Sequence, residues 1–154
     1  MTLKLKSPAF RDGDEIPERY IRQGGNASPP LQWDGAPPDT KSFALIVEDP
    51  DAPKGLFRHW AIYDLPPAQT WLPEDVGRGD GATFTEATND FGAATYDGPQ
   101  PPAGSGVHHY HFRLVALDVP HLDLPRDASA QDVWREAKHH LIEEADLVGV
   151  CAPD

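Results

Sequence analysis

The chain has 154 residues, enough for one domain with a substantial core, and its 13 basic and 25 acidic side chains leave a net charge of −12. That balance argues against nucleic acid and anionic membrane surfaces as partners, because both need clustered Lys and Arg. Seventeen dispersed prolines, roughly twice the usual share, oppose a helical bundle and favour short strands joined by long loops.

Leu3 and Leu5 alternate with Lys4 and Lys6, the pattern of a short half-buried strand. Arg19 to Ile21 is predicted as another strand, and Gly24 to Asn26 as a turn. Leu31 and Trp33 share one face of a short strand after the rigid segment Ser28-Pro29-Pro30. Ser42 to Glu48 and His59 to Leu65 are the clearest strands, rich in β-branched and aromatic residues. From Pro66 to Thr95 the pattern fades, punctuated by Gly77, Gly79 and Gly81. A stretch of that length without periodicity is expected to be functional or mobile. Val107 to Asp118 is predicted as the last long strand. Ser129 to Ala145 is predicted as the one helix, with Ser129 as N-cap and Asp132 completing a capping box. Its apolar stripe would comprise Val133, Trp134, Ala137, Leu141, Ile142 and Ala145. These elements make a mainly β fold: antiparallel strands in a sandwich plus one C-terminal helix, as a single domain over residues 1–154.

Cys151 is the lone cysteine, so no internal disulfide can form. Residues 1–8 lack the apolar core of a signal peptide, and no apolar run approaches the ~20 residues needed to span a bilayer. A cytoplasmic location without a transmembrane segment is the expectation.

Two stretches carry candidate chemistry. Phe43, Leu45 and Val47 share one strand face, and Asp49 follows on that face where the core meets solvent. Pro50 and Pro53 bracket Asp51 and stiffen the loop. Alone, this reads as an ordinary acidic turn, since Asp and Pro are common turn residues. The second stretch is a Gly/Pro loop, Tyr96 to Gly106, running into a strand. His108, Tyr110, Phe112, Leu114 and Ala116 line one face of that strand, so His108 sits at the mouth of a core-facing row just as Asp49 does. His109, His111 and Arg113 face the other way. That second face ends in Val115 and Leu117, which need cover from the helix, another sheet or a second subunit.

Six motifs, in order, resemble the phosphatidylethanolamine-binding protein family, also called Raf kinase inhibitor proteins, in its bacterial branch. They are Asp12-Gly13-Asp14-Glu15-Ile16-Pro17, Asn26-Ala27-Ser28-Pro29-Pro30-Leu31-Gln32-Trp33, Asp49-Pro50-Asp51-Ala52-Pro53, His59-Trp60, Gly98-Pro99-Gln100-Pro101-Pro102 and His108-His109-Tyr110. The resemblance implies a Greek-key antiparallel β-sandwich with a pocket at one end of the sheets. It implies binding of phosphate or phosphorylethanolamine-like groups by Asp49, Asp51, Pro53, His59, Gly98, Pro99, His108 and Tyr110. It further implies a cis bond at Ala52–Pro53, a homodimer, and a protein partner such as a kinase or another enzyme. The chain departs from the family pattern at His109, where Arg is usual, at Gln100 on the pocket rim, and at Cys151, where an aromatic residue is common.

Imidazole and phenol groups can donate to an anion, while carboxylates orient a histidine or bind an ammonium group. A small anionic or zwitterionic phosphate ligand would suit that mixture. Two enzyme readings stay open. His59, His108, Asp49 and Asp51 are all potential metal ligands, and a His–Asp pair can do acid–base hydrolysis. Neither a Walker loop nor a dinucleotide fingerprint occurs, and Ser105 lacks the glycines of a Gly-x-Ser-x-Gly elbow, with Ala103 and Val107 in their places. Binding without catalysis, with no cofactor and no metal, is the expectation.

Overall fold

The computed structural model describes residues 2–76 and 83–153, so the Gly77, Gly79 and Gly81 punctuation lies outside the described residues. In chain order the elements are β1 (Lys4–Lys6), β2 (Leu31–Asp34), β3 (Ser42–Asp49), β4 (Phe57–Leu65), β5 (Trp71–Leu72), β6 (Thr85–Glu86), β7 (His108–Leu117), α1 (Ala130–Ala137) and β8 (Leu141–Cys151). They form two antiparallel sheets, β1-β2-β5 and β6-β4-β3-β7-β8. The architecture is the mainly β, Greek-key sandwich, with a single α-helix among the described residues.

β3 is central, and all eight of its residues are buried. It is covered on both faces, which explains an apolar run without the alternation of a half-exposed strand. Phe43, Leu45 and Val47 pack into the core between the sheets with Leu31, Trp33 and Leu72. Ala44 and Ile46 face a second core made with Ala130, Val133 and Ala137 of α1. β7 divides the same way. Tyr110, Phe112, Leu114 and Ala116 join the first core, and Val115 and Leu117 join the second. The helix of the same chain is therefore the cover that Val115 and Leu117 require.

The helix is shorter than expected. Ser129 caps it as predicted, with its side chain accepting from the Asp132 N–H and Asp132 accepting from the Ser129 N–H. It stops at Ala137, and residues 141–151 form β8 instead of a helical end and a loose tail. β8 pairs with β7 at ten positions, from His108↔Cys151 to Leu117↔Leu141. Without β8, β7 would present a row of unpaired backbone groups along a sheet edge. That ladder overrides the helical spacing of Leu141, Ile142 and Ala145, a run short enough to fit either periodicity. β7 is accordingly not the last long strand. Gly149, expected to close the ordered chain, lies inside β8, where a Cβ would collide with the Ile16 side chain.

Two further expectations are corrected. Arg19 to Ile21 is not a strand: Glu18–Tyr20 forms a 3-10 helix behind Pro17, whose fixed φ suits the entry to a helical turn. The Ala52–Pro53 bond is trans, since the described chain holds no cis peptide.

Candidate ligand-binding site

Strand ends build the site. Asp49 ends β3 and pairs with Phe57, which begins β4; His108 begins β7. The loops after β3 and before β7 close over these ends and leave a cavity of about 170 Å³. Asp49, His59, His108 and Tyr110 supply its polar wall. Ala52, Pro53, Phe57, Phe91, Pro101 and Pro102 supply the apolar wall, with Gln100 at the side.

Asp49 and His108 are each nearly sealed from solvent, with side chains 4% and 2% exposed, and they meet at 2.6 Å between Oδ2 and Nδ1. Asp49 Oδ1 accepts the Asp51 N–H at 2.8 Å, which fixes the carboxylate as the chain turns out of β3. The Tyr110 ring stacks near His108, with centroids 6.2 Å apart. Burial, and then the charge of Asp49, push the Tyr110 phenol well above its ordinary value, so the hydroxyl keeps its proton and remains a donor.

His59 is held differently. Its Nδ1 lies 2.8 Å from the Asp97 carbonyl and must donate to it, which leaves Nε2 as the acceptor of the neutral ring. Burial lowers its pKa below the ordinary 6.5, against the opposing pull of the Asp97 carbonyl. Aromatic rings surround it: Phe57 at 5.0 Å, Tyr110 at 5.3 Å and Phe91 at 5.4 Å between centroids.

Phe91 owes its place to a buried amide. Asn89 Oδ1 accepts the N–H groups of Phe91 and Ala93, and Asn89 Nδ2 donates to the Thr95 carbonyl and to Asp97. The Arg22 guanidinium then stacks on the outer face of Phe91, 4.1 Å from its centroid. The described end of the aperiodic stretch thus forms one wall of the cavity.

Of the eight residues singled out from sequence, Asp49, Pro53, His59, His108 and Tyr110 meet at this cavity. Asp51, Gly98 and Pro99 do not line it. The Asp51 carboxylate turns outward and accepts both the backbone N–H and the ring Nδ1–H of His109. Those bonds, the ring's first, hold the Asp51 carboxyl below its ordinary value. His109, which stands where Arg is usual in the family, thereby ties the β3–β4 loop to β7. Gly98 donates to Asn26 Oδ1 at 2.7 Å, and a Cβ there would fall on the Tyr20 carbonyl. The Pro99 carbonyl accepts the Arg22 N–H at 3.0 Å. These two residues clamp the second loop to the turn that follows the 3-10 helix. Sequence reasoning missed Phe57, Phe91, Asn89 and Asp97. The only early signal for Phe91 was that an aperiodic segment of that length tends to be functional.

Among the described residues, no three His, Cys, Asp or Glu side chains converge as a metal-ligand set, and no helix is long and apolar enough to cross a membrane.

Comparison with known proteins bears on the family and the fold. The sequence model of the family described as Phosphatidylethanolamine-binding protein matches residues 6–152. A UPF0098 protein of Methanothermobacter thermautotrophicus is 48% identical over 152 residues, covering 96% of this chain and 97% of its own. The UPF0098 protein YbhB of Escherichia coli is 37% identical over 159 residues, covering 96% and 99%. Among solved structures, Escherichia coli YbcL, described as a new member of the mammalian PEBP family, superposes with a TM-score of 0.90 at 34% identity, over 96% of each chain. A phosphatidylethanolamine-binding protein homologue from Chlamydia trachomatis gives a TM-score of 0.87 at 35% identity, over 99% and 98%.

Proposed function

The chain belongs to the phosphatidylethanolamine-binding protein family, and on that footing we propose that its cavity binds a small zwitterionic phosphate ligand of the phosphorylethanolamine type. The observation that carries this reading is the composition of the wall. It holds one carboxylate, two imidazoles, a phenol and the Gln100 amide among apolar side chains, and among the described residues that line it there is neither Lys nor Arg. A bare dianion would meet the Asp49 charge with no full-time cation to offset it. A ligand that brings its own ammonium group changes the balance. The phosphate accepts from the Tyr110 hydroxyl, and the P–OH of its monoanion donates to His59 Nε2, while the ammonium lies against Asp49 and the faces of Phe57 and Phe91.

Calorimetry with inorganic phosphate, phosphorylethanolamine and phosphorylcholine tests it. Phosphorylethanolamine is expected to bind at least about tenfold more tightly than phosphate, equivalent to about 1.4 kcal/mol. His108→Ala should remove most of that affinity. Equal affinity for all three compounds, or none, would discard the reading. Regulation of a kinase or another enzyme is an extension that rests on the family's second name. A homodimer rests on the family resemblance alone, since α1 covers Val115 and Leu117.

A further inference from the structure

Ser105 adds a third member to the Asp49–His108 pair. Its Oγ lies 2.9 Å from His108 Nε2, and His108 Nδ1 lies 2.6 Å from Asp49 Oδ2. Hydroxyl, imidazole and carboxylate therefore form one hydrogen-bonded line that uses both ring nitrogens. We propose that Ser105, His108 and Asp49 form a nucleophilic triad for acyl transfer from small carboxylic esters, with Ser105 as the nucleophile.

The roles follow from the setting of each group. Asp49 is sealed and accepts from Nδ1, which fixes the ring's orientation and leaves Nε2 facing the hydroxyl. Ser105 is exposed on the turn before β7, flanked by Gly104 and Gly106 at φ of 81° and 82°, the left-handed region that glycine favours. A nucleophile on a sharp, open turn beside a buried base is the arrangement such chemistry needs. The same turn brings the Ser105 hydroxyl within 2.6 Å of the Pro102 carbonyl. One hydroxyl proton thus has two acceptors. Directed at Pro102 the group rests; rotated toward Nε2 it is ready to lose the proton, and a hydroxyl rotates without moving the backbone. Pro102 and His108 also line the cavity, so an ester seated against Phe57 and Pro101 presents its carbonyl near the serine.

In the reaction, Oγ bonds to the acyl carbon as its proton passes to Nε2. The carbon–alkoxy bond breaks and the alcohol leaves with that proton. Water then attacks the acyl-serine, gives a proton to Nε2, and releases the carboxylic acid as Oγ recovers the proton. The Gly-x-Ser-x-Gly pattern does not reveal this site because triads recur on unrelated folds in unrelated chain order.

The test is covalent labelling of the whole chain with a fluorophosphonate–biotin probe, alongside hydrolysis of p-nitrophenyl acetate. Oγ displaces fluoride from phosphorus and the proton leaves with it, so one adduct per chain is expected, mapped to Ser105 by peptide mass spectrometry. Labelling of Ser105 should abolish ester hydrolysis in proportion to its extent. Ser105→Ala, at an exposed position, should retain the melting temperature and lose both signals. Asp49→Asn and His108→Gln should slow labelling at least about 100-fold. No adduct, an adduct elsewhere, hydrolysis that survives labelling, or two folded variants that label at the parent rate would each overturn the triad. The covalent readout is separate from the phosphorylethanolamine titration, so either can fail alone.

Discussion

Two imidazole–carboxylate pairs stand side by side where the β3–β4 loop meets β7. Asp49 and His108 are 4% and 2% exposed and 2.6 Å apart; Asp51 and His109 are 41% and 53% exposed and 2.9 Å apart. The residues are adjacent in β7, and alternation alone sends one ring inward and the next outward. The inner pair lies in low dielectric, where losing one partner strands a polar group without water. The outer pair is screened by solvent and works as a tether. The same chemistry thus makes a site on one face of the strand and a strap on the other.

The widest separation between the pairs should come from removing their carboxylates. Asp49→Ala is expected to destabilise the fold by about 2–3 kcal/mol, the upper part of the usual cost of leaving a buried donor unsatisfied. Denaturant unfolding measures it, and a loss below about 1 kcal/mol would show that water replaces the carboxylate. Asn89 offers a neutral counterpart. It is 3% exposed and serves four partners, so Asn89→Ala should cost about 2 kcal/mol and weaken ligand binding through the loss of the Phe91 wall. Calorimetry on this variant at a temperature where it is folded separates the two effects.

His59 sharpens the comparison because it is buried with a carbonyl rather than a carboxylate as its Nδ1 partner. Its folded pKa lies below the unfolded value near 6.5, so the unfolded state binds more protons once pH falls under that value. Stability that is whole above pH 6.5 should therefore decline on acidification, with a slope approaching about 1.4 kcal/mol per pH unit from this group. His59→Gln should flatten that slope between its lowered pKa and 6.5. An unchanged slope would assign the acid sensitivity to another group. Asp51, lowered by His109, acts only at the other end of the scale. Its contribution is present above the ordinary carboxylate value and disappears as pH falls through the lowered one.

The smallest effect belongs to the outer pair. Asp51→Ala and His109→Ala should each cost no more than about 1 kcal/mol, with a double-mutant cycle giving a coupling in the same range. A coupling as large as that of Asp49 with His108 would end the distinction drawn from burial.

Alternation was legible along the chain before any fold was known. It placed Phe43, Leu45 and Val47 in one row with Asp49, and His108 in a row with Tyr110 and Phe112, because a period of two depends only on local backbone geometry. The cap of α1 was legible for the same reason, since Ser129 and Asp132 satisfy each other's backbone within one turn. The motif order brought Asp49, His59, His108 and Tyr110 together as one candidate site. What local pattern could not decide was set by partners distant in sequence. Residues 141–145 fit a helix until β7 offers them a ladder. Asp51 looked like Asp49 until its carboxylate found His109 on the outer face. Ser105 failed the Gly-x-Ser-x-Gly pattern and read as a loop serine until the turn before β7 carried it to His108 Nε2. In each case the deciding hydrogen bond or neighbouring strand exists only once the chain has closed on itself, so no window of sequence contains it.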